Sequence, residues 1–321
     1  MCGIIGALGD NVSTRLPLDK LAHRGPDASD SWTNNRNCIL GHTRLSIIDL
    51  NSRSNQPMTD KSGRYHMVYN GEIYNYSELA KTYLGDVKLA TTSDSEVLLQ
   101  LWVKLGTECI KLLRGMFAFA IWDDKEEQLF LVRDRLGQKP LFYHLAGKNI
   151  SFSSELNALS EIQSNLSISS KAIDLFLSNQ FIPTPNSIYE DVFKLPPGSY
   201  ATWRNGKFEL NTYYKLRFDH KLNEDLSESD AIKQLEDIII ESIKLRLRSD
   251  VPVGSLLSGG VDSSLVTALA AKVGTGRLKT FSIGFKESAF NELEYARIVA
   301  DKYNTEHTEN IFDEEDALNL L

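Results

Sequence analysis

The chain has 321 residues, 42% of them hydrophobic and 24% charged, with a formal net charge of −8. This length predicts about two domains, each able to bury a core, and the acidic balance excludes a basic nucleic-acid surface as the main role, though not phosphate binding by backbone N–H groups. With no apolar run of about 18 residues there is no membrane-spanning helix. The opening MCGIIGALGD also lacks the basic segment and long apolar run of a secretion signal. Three widely spaced cysteines, Cys2, Cys38 and Cys109, make neither a disulfide framework nor a zinc site. A cytoplasmic protein is expected.

Over residues 1–160, short apolar runs alternate with Gly, Asn and Asp turns. They predict strands at Cys2–Leu8, Cys38–Leu40, Leu45–Leu50, Tyr65–Tyr69, Met116–Trp122, Gln128–Val132, Leu141–Tyr143 and Ile150–Phe152. Helices are predicted at Tyr76–Leu84 and Ser95–Leu105, the second with Val97, Leu98, Leu101, Trp102 and Leu105 on one face. Short strands close in sequence imply antiparallel sheets, and the intervening helices make this a layered α+β domain. Residues 161–195 thin out into Ser, Asn, Gln and Pro and lead to Leu195-Pro196-Pro197-Gly198. Residues 161–210 are therefore expected to be a connection and domain edge, with a buried helix at Ala172–Leu177. The remainder, 211–321, reads differently. A helix is predicted from about Ser229 to Arg248, with Ile232, Leu235, Ile239, Ile243 and Leu247 on one face. A strand at Val253–Leu257, a helix to about Val273, a strand at Thr280–Phe285 and a helix at Glu292–Lys302 follow, the pattern of a parallel α/β sheet.

Cys2 directly follows Met1. Removal of Met1 would leave Cys2 with an α-amino group of pKa roughly 7.7–8, a base for its own thiol near neutral pH. Alone, Cys2 reads more readily as a core residue at the start of a strand. Its companions change the balance. Hydrolysing a primary amide needs a nucleophile, an oxyanion hole and partners for the substrate's carboxylate and ammonium. Arg44 offers a bidentate fork to a carboxylate. Asn70 offers an amide donor and Gly71 an unobstructed N–H, a pair that can hold an oxyanion. Glu72 and Asp94 can accept from an ammonium. Each also has a plain structural reading: Asn70-Gly71 as a hairpin turn, Asp94 as a helix cap, Arg44 paired with Asp49 on a surface.

Together, MCGIIG, HRGPD, RLSIIDL, YNGEIYNY, SDSE, RGMFAFAIWD and RDRLGQKPLFY resemble, in order and over residues 1–155, the class-II (N-terminal nucleophile) glutamine amidotransferase family. The resemblance implies a sandwich of antiparallel sheets between helices, the N-terminal-nucleophile fold, for residues 1–160. It implies Cys2 as nucleophile, Asn70 and Gly71 as oxyanion hole, and Arg44, Ile48, Asn70, Glu72 and Asp94 as glutamine-binding residues. Thr43, where a basic residue is common, and a short segment between Cys2 and His23 depart from the pattern without touching this chemistry.

Farther on, a strand feeds Ser258-Gly259-Gly260-Val261-Asp262-Ser263-Ser264 and then a helix. The glycines let backbone N–H groups approach phosphate oxygens, the helix N-terminus adds a favourable dipole, and Asp262 could hold Mg²⁺. A Walker pattern is absent, and a capped helix start is the plain alternative. LLSGGVDSS resembles the pyrophosphate loop of the ATP pyrophosphatases. Behind a class-II glutaminase, with KLPPG and FSIGF, it resembles the glutamine-hydrolysing asparagine synthetase family. That implies ATP held by Leu257, Ser258, Gly259, Gly260, Asp262, Ser263, Ser264 and Ile283, with Mg²⁺ at Asp262 and no organic cofactor. Glutamine, aspartate and ATP are the expected small-molecule partners, in a homodimer without nucleic acid or membrane. The family's second loop, SGEGSDE, does not occur before Leu321. The partial ATP-pyrophosphatase domain is thus expected to be half built, in a fragment or a natural truncation, and the chain to hydrolyse glutamine without making asparagine. An amidotransferase acting on a sugar uronate or β-lactam precursor, and a non-catalytic dimerising remnant, remain as alternatives.

Overall fold

The computed structural model describes residues 2–163, 165–218, 226–286, 291–313 and Asp316. Met1 lies outside them, and so does any statement on its removal. The chain divides into two compact units, Met1–Arg217 and Phe218–Leu321.

In the first unit the strands are β1 (Gly3–Leu8), β2 (Ala28–Thr33), β3 (Cys38–Arg44), β4 (Met58–Thr59), β5 (Tyr65–Ile73), β6 (Gly115–Asp123), β7 (Gln128–Arg133), β8 (Phe142–Ala146), β9 (Asn149–Ser153), β10 (Val192–Lys194), β11 (Ser199–Arg204) and β12 (Lys207–Thr212). They build two six-stranded sheets, ordered β10-β8-β9-β1-β3-β2 and β12-β11-β7-β6-β5-β4. The ladders within them are antiparallel. The helices are α1 (Tyr76–Tyr83), α2 (Asp94–Leu105), α3 (Leu156–Ile162) and α4 (Ser170–Asn179).

The strand period of two sorts side chains into three cores. Ile4, Leu8, Cys38 and Leu40 of one sheet meet Val68, Ala118, Ala120 and Trp122 of the other in the space between them. The alternate residues Met67, Tyr69, Ile73, Phe117 and Phe119 point outward and pack under Leu98, Leu101 and Trp102 of α2. On the far side Ile5, Ala7 and Ile39 pack with Leu16, Leu21 and Ala158 of α3. The result is a helix–sheet–sheet–helix sandwich. α2 starts where Ser93 accepts the Glu96 N–H at 3.3 Å, so Ser93, not Asp94, is the cap.

Several elements differ from expectation. Leu45–Leu50 is not a strand: β3 runs unbroken to Arg44, and the following segment turns its carbonyls back onto the Arg44 guanidinium, with Asp49 at φ 51°. Residues 161–210, expected as a connection, include α4, β10, β11 and part of β12, and these strands extend both sheets. The helix expected to be buried at Ala172–Leu177 lies in α4 but buries only Ala172; Ile173, Phe176 and Leu177 are exposed, Leu177 by 75%. β2, with sequence ASDSWT, escapes the apolar pattern because it is an exposed edge strand.

The second unit contains α5 (Glu228–Arg246), β13 (Gly254–Leu256), α6 (Val261–Val273), β14 (Lys279–Phe285), α7 (Leu293–Lys302) and β15 (Glu306–Phe312). Its strands pair in parallel in the order β13-β14-β15. α5 packs on α6 through Ile243, Leu269 and Ala270, and α7 covers Leu257 with Ala296 and Ala300. β15, whose sequence EHTENIF is mostly polar, had no apolar signal. Leu256, Phe281, Ile283 and Phe285 stand exposed on the strands.

Candidate active site

The period of two also assembles the predicted chemistry. Ile4 and Leu8 of β1 face the core between the sheets, so Cys2, two residues before Ile4, faces the same way. Gly3 pairs with Thr43, which sets Cys2 opposite Arg44. Arg44 continues the inward series Cys38, Leu40, His42 of β3. On β5, inward Val68 is followed by inward Asn70 and Glu72. The His42 ring joins the sheets, its Nε2–H donating to the Tyr69 carbonyl at 3.1 Å. Burial depresses the His42 pKa to about 3, Tyr69 raising it and Arg44 lowering it. The ring is thus neutral at ordinary pH and acts as a fixed tie.

The Cys2 Sγ accepts the Leu45 N–H at 3.5 Å, and its thiol donates to the Leu45 carbonyl at 3.7 Å. Burial raises its pKa; the Leu45 N–H and Arg44 pull it down and Asp94 pushes it up. Arg24 Nε donates to the Cys2 carbonyl at 3.0 Å, and its Nη1 pairs with Glu155 at 2.7 Å. Cys38 and Cys109 are fully buried, and burial pushes Cys109 up to about 12, well away from a reactive thiol.

Arg44 is buried, yet its Nη atoms donate to four neutral carbonyl oxygens: Asn51 O (2.9 Å), Asn55 Oδ1 (2.7 Å), Ile48 O (3.4 Å) and Asp49 O. The Asp49 carboxylate turns elsewhere, to the Thr92 N–H at 2.8 Å and to Arg53. These acceptors orient the guanidinium without neutralising it, but they occupy all four Nη hydrogens, so the free bidentate fork expected from the sequence is not open here: a carboxylate would meet the charge through Nε–H or by displacing one of these carbonyls. Ile48 contributes its carbonyl to that cradle.

Asn70 and Gly71 are not a hairpin turn. They lie inside β5, opposite Ala118 and Phe117. Asn70 is 1% exposed, and among the described residues neither side-chain atom has a hydrogen-bond partner. An amide in that state costs about 1–3 kcal/mol. The N–H of Tyr69 goes to Gln56 Oε1 at 2.7 Å and that of Ile73 to Asp94 Oδ2 at 2.9 Å, both away from β6. By alternation the Gly71 N–H between them points to the same edge. A side chain at Gly71 would meet the Met116 carbonyl at 2.2 Å, so only glycine fits. Asp94 is buried at the start of α2; burial raises its pKa, and the Ile73 N–H and Tyr69 hydroxyl oppose that. Glu72 is half-buried. Sequence reasoning passed over Leu45, His42, Gln56 and Tyr69, which hold these groups in place.

In the second unit, β13 leads into the Ser258–Ser264 turn and α6. Ser258 and Ser263 hydroxyls lie 3.0 Å apart, Ser263 Oγ donates to Gly260 O at 3.1 Å, and the Ser264 N–H closes the first turn on Gly260 O. Gly259 has φ 92°, and a Cβ there would meet Tyr295 Cβ at 2.8 Å. Leu257 is buried and Ile283 60% exposed. Asp262 is exposed in the first turn of α6. Among the described residues no group of three or more metal-ligating side chains forms, so an ion at Asp262 would need phosphate oxygens to complete its shell.

Residues 1–214 match the glutamine amidotransferase domain family, and residues 234–321 match the asparagine synthase family. A Methanocaldococcus jannaschii protein, provisionally named a glutamine-hydrolysing asparagine synthetase, is 38% identical across 100% of this chain and 67% of its own length. Bacillus subtilis glutamine-hydrolysing asparagine synthetase 1 is 36% identical across 100% of this chain and 52% of its own. The chain thus spans about two thirds of one relative and about half of the other. Among solved structures, the fold is similar to that of an allosteric regulatory enzyme of purine biosynthesis (TM-score 0.52, 13% identity, 97% of this chain and 80% of that one). It is also similar to the B. subtilis glutamine phosphoribosylpyrophosphate amidotransferase (TM-score 0.50, 16% identity, 99% and 70%). Among the described residues no helix is long and apolar enough to cross a membrane. With a glutamine amidotransferase domain followed by an asparagine synthase domain, and with these relatives, the chain belongs to the family of glutamine-hydrolysing asparagine synthetases.

Proposed function

We propose that the first unit hydrolyses glutamine at Cys2 to glutamate and ammonia, and that the second takes part in using that ammonia to amidate ATP-activated aspartate. The observation that carries the first step is the buried Asn70 amide on β5, unpartnered among the described residues, in the sheet that packs against the one whose register sets Cys2 opposite Arg44. Arg44 takes the α-carboxylate of glutamine and Asp94, with Glu72, the α-ammonium. The Cys2 sulfur attacks the amide carbonyl carbon. Once Met1 is removed, the thiol proton passes by way of the freed Cys2 α-amine to the departing nitrogen, which leaves as ammonia. Asn70 Nδ2 and the Gly71 N–H hold the oxyanion. Water then cleaves the thioester, giving glutamate and restoring the thiol.

For the second step, the Ser258–Ser264 turn would bind the pyrophosphate of ATP through its N–H groups and hydroxyls, with Leu257 and Ile283 lining the adenine site, and Asp262 would hold Mg²⁺, which would offset phosphate charge. The aspartate side-chain carboxylate displaces pyrophosphate to form an acyl adenylate, and ammonia displaces AMP. The first step is tested with Cys2→Ala and a glutamine-analogue electrophile. Ammonia release should vanish in a folded protein, and the electrophile's mass should appear on Cys2, not on Cys38 or Cys109. Ammonia release near the wild-type rate in Cys2→Ala would overturn the assignment. For the second step, asparagine and pyrophosphate formed in step with glutamate would support it and overturn the expectation that this chain stops at glutamine hydrolysis; glutamate alone would meet that expectation and confine the chain to the first step.

A further inference from the structure

We propose that Tyr69 is a positioning residue for substrate recognition: its hydroxyl fixes the Asp94 carboxylate in the orientation that takes the α-ammonium of glutamine. The inference rests on the reading of Asp94 given above. Tyr69 is 2% exposed, and its ring lies in the apolar cluster beneath α2 with Met67, Phe117 and Phe119. A phenylalanine would fill that place equally well, so packing alone gives no reason for the hydroxyl. That hydroxyl donates to Asp94 Oδ2 at 2.7 Å, and the same oxygen accepts the Ile73 N–H at 2.9 Å. Two donors on one oxygen set both the position and the rotation of the carboxylate.

Tyr69 is itself held on every polar group it has. Its N–H donates to Gln56 Oε1 at 2.7 Å, and its carbonyl accepts from His42 Nε2 at 3.1 Å. His42 is two residues from Arg44 on β3, and Gln56 follows Asn55, which binds the Arg44 guanidinium. One residue therefore ties the segments around the carboxylate-binding arginine to the ammonium-binding aspartate. The two charges of glutamine lie a fixed distance apart, so a site that reads both must hold its two posts at a matching distance. Because α2 and β5 are joined at Asp94 by these bonds, a loosened carboxylate costs recognition of the ammonium and leaves the amide chemistry at Cys2 untouched.

The experiment compares glutamine with the same amide lacking its α-amino group, in the full chain, for wild type, Tyr69→Phe, Asp94→Asn and the double variant. The wild type should prefer glutamine. Tyr69→Phe should raise KM for glutamine about tenfold, with kcat and the KM for the des-amino amide changed less than about twofold. The double variant should be no worse than Asp94→Asn alone, because one interaction cannot be lost twice. Equal loss on both substrates, or losses that add in the double variant, would make Tyr69 a packing residue only and overturn the proposal. A wild type that does not distinguish the two amides would instead overturn the role of Asp94. Labelling at Cys2 then reports separately whether the glutaminase reading stands.

Discussion

Asn70→Ala separates a catalytic amide from a structural one, because the two roles predict opposite stabilities. Both polar atoms of the Asn70 side chain are buried without a partner among the described residues. Truncation removes that penalty of about 1–3 kcal/mol while opening a small cavity of comparable cost. Folding stability should therefore stay level or rise by about 1 kcal/mol, which for a unit of this size moves Tm by roughly 2–4 °C. Activity should move the other way. An oxyanion donor contributes about 2.7–4 kcal/mol to the transition state, so kcat should fall on the order of a hundred- to a thousandfold. KM should hardly change, since the amide oxygen acquires its charge only during the reaction. The assay is steady-state ammonia release across glutamine concentrations, paired with thermal unfolding of the same preparations. A kcat within threefold of wild type, or a loss of activity that tracks a Tm lowered by many degrees, would refute the reasoning.

Arg44→Ala should do the reverse: KM for glutamine rises by a factor on the order of a hundred with kcat little changed, since a buried, hydrogen-bonded charge partner is lost but the carboxylate is a spectator. It should also lower stability by about 1–3 kcal/mol, because the carbonyls of Ile48, Asp49 and Asn51 lose their donor. Asp49 sets an acid limit. Burial would raise its pKa, but hydrogen bonds from the Thr92 and Asn51 N–H groups, and then Arg53, bring it down to about 2 from an ordinary 3.8. A depressed folded-state value means stability that is complete above the unfolded value near 3.8 and lost as pH falls through about 2. Thermal unfolding between pH 5 and pH 2 should therefore show a steeper acid decline in wild type than in Asp49→Asn; parallel curves would contradict the assignment.

The candidate site residues were more legible in the sequence than the frame that holds them. Cys2, Arg44, Asn70, Gly71, Glu72 and Asp94 could be singled out because each is a chemically expensive residue in a segment that also resembles a family motif. What could not be read was that strand alternation turns four of them inward at one end of a sandwich, since this requires the register of β1 on β3. Tyr69 was invisible for a related reason: an aromatic at an outward strand position reads as core, and its ring is core. Only the fold reveals where the hydroxyl goes. Leu45–Leu50 misled because Ile47 and Ile48 favour a strand, while the carbonyls of Ile48 and Asp49 are claimed by the Arg44 guanidinium. β2 and β15 were missed because edge and polar strands carry little apolar period, and the exposed stripe of α4 has the same spacing as a buried one.

The neutral cradle around Arg44 has a consequence for which residues can surround it. Dipoles orient the guanidinium but leave its unit charge intact, so on the proposed reading the carboxylate of the amino-acid ligand would be its counter-ion. Recognition would then couple affinity to charge balance: a ligand arriving as an anion at one end would supply the negative charge that the carbonyl cradle does not. The arrangement also makes the neighbourhood intolerant of one small chemical change. At Asn55, whose amide oxygen lies 2.7 Å from the guanidinium, exchanging the amide for an acid of the same shape would hand Arg44 an internal anion. The pocket would keep its form and lose its appetite, poisoned from within by a residue that differs from asparagine in a single group.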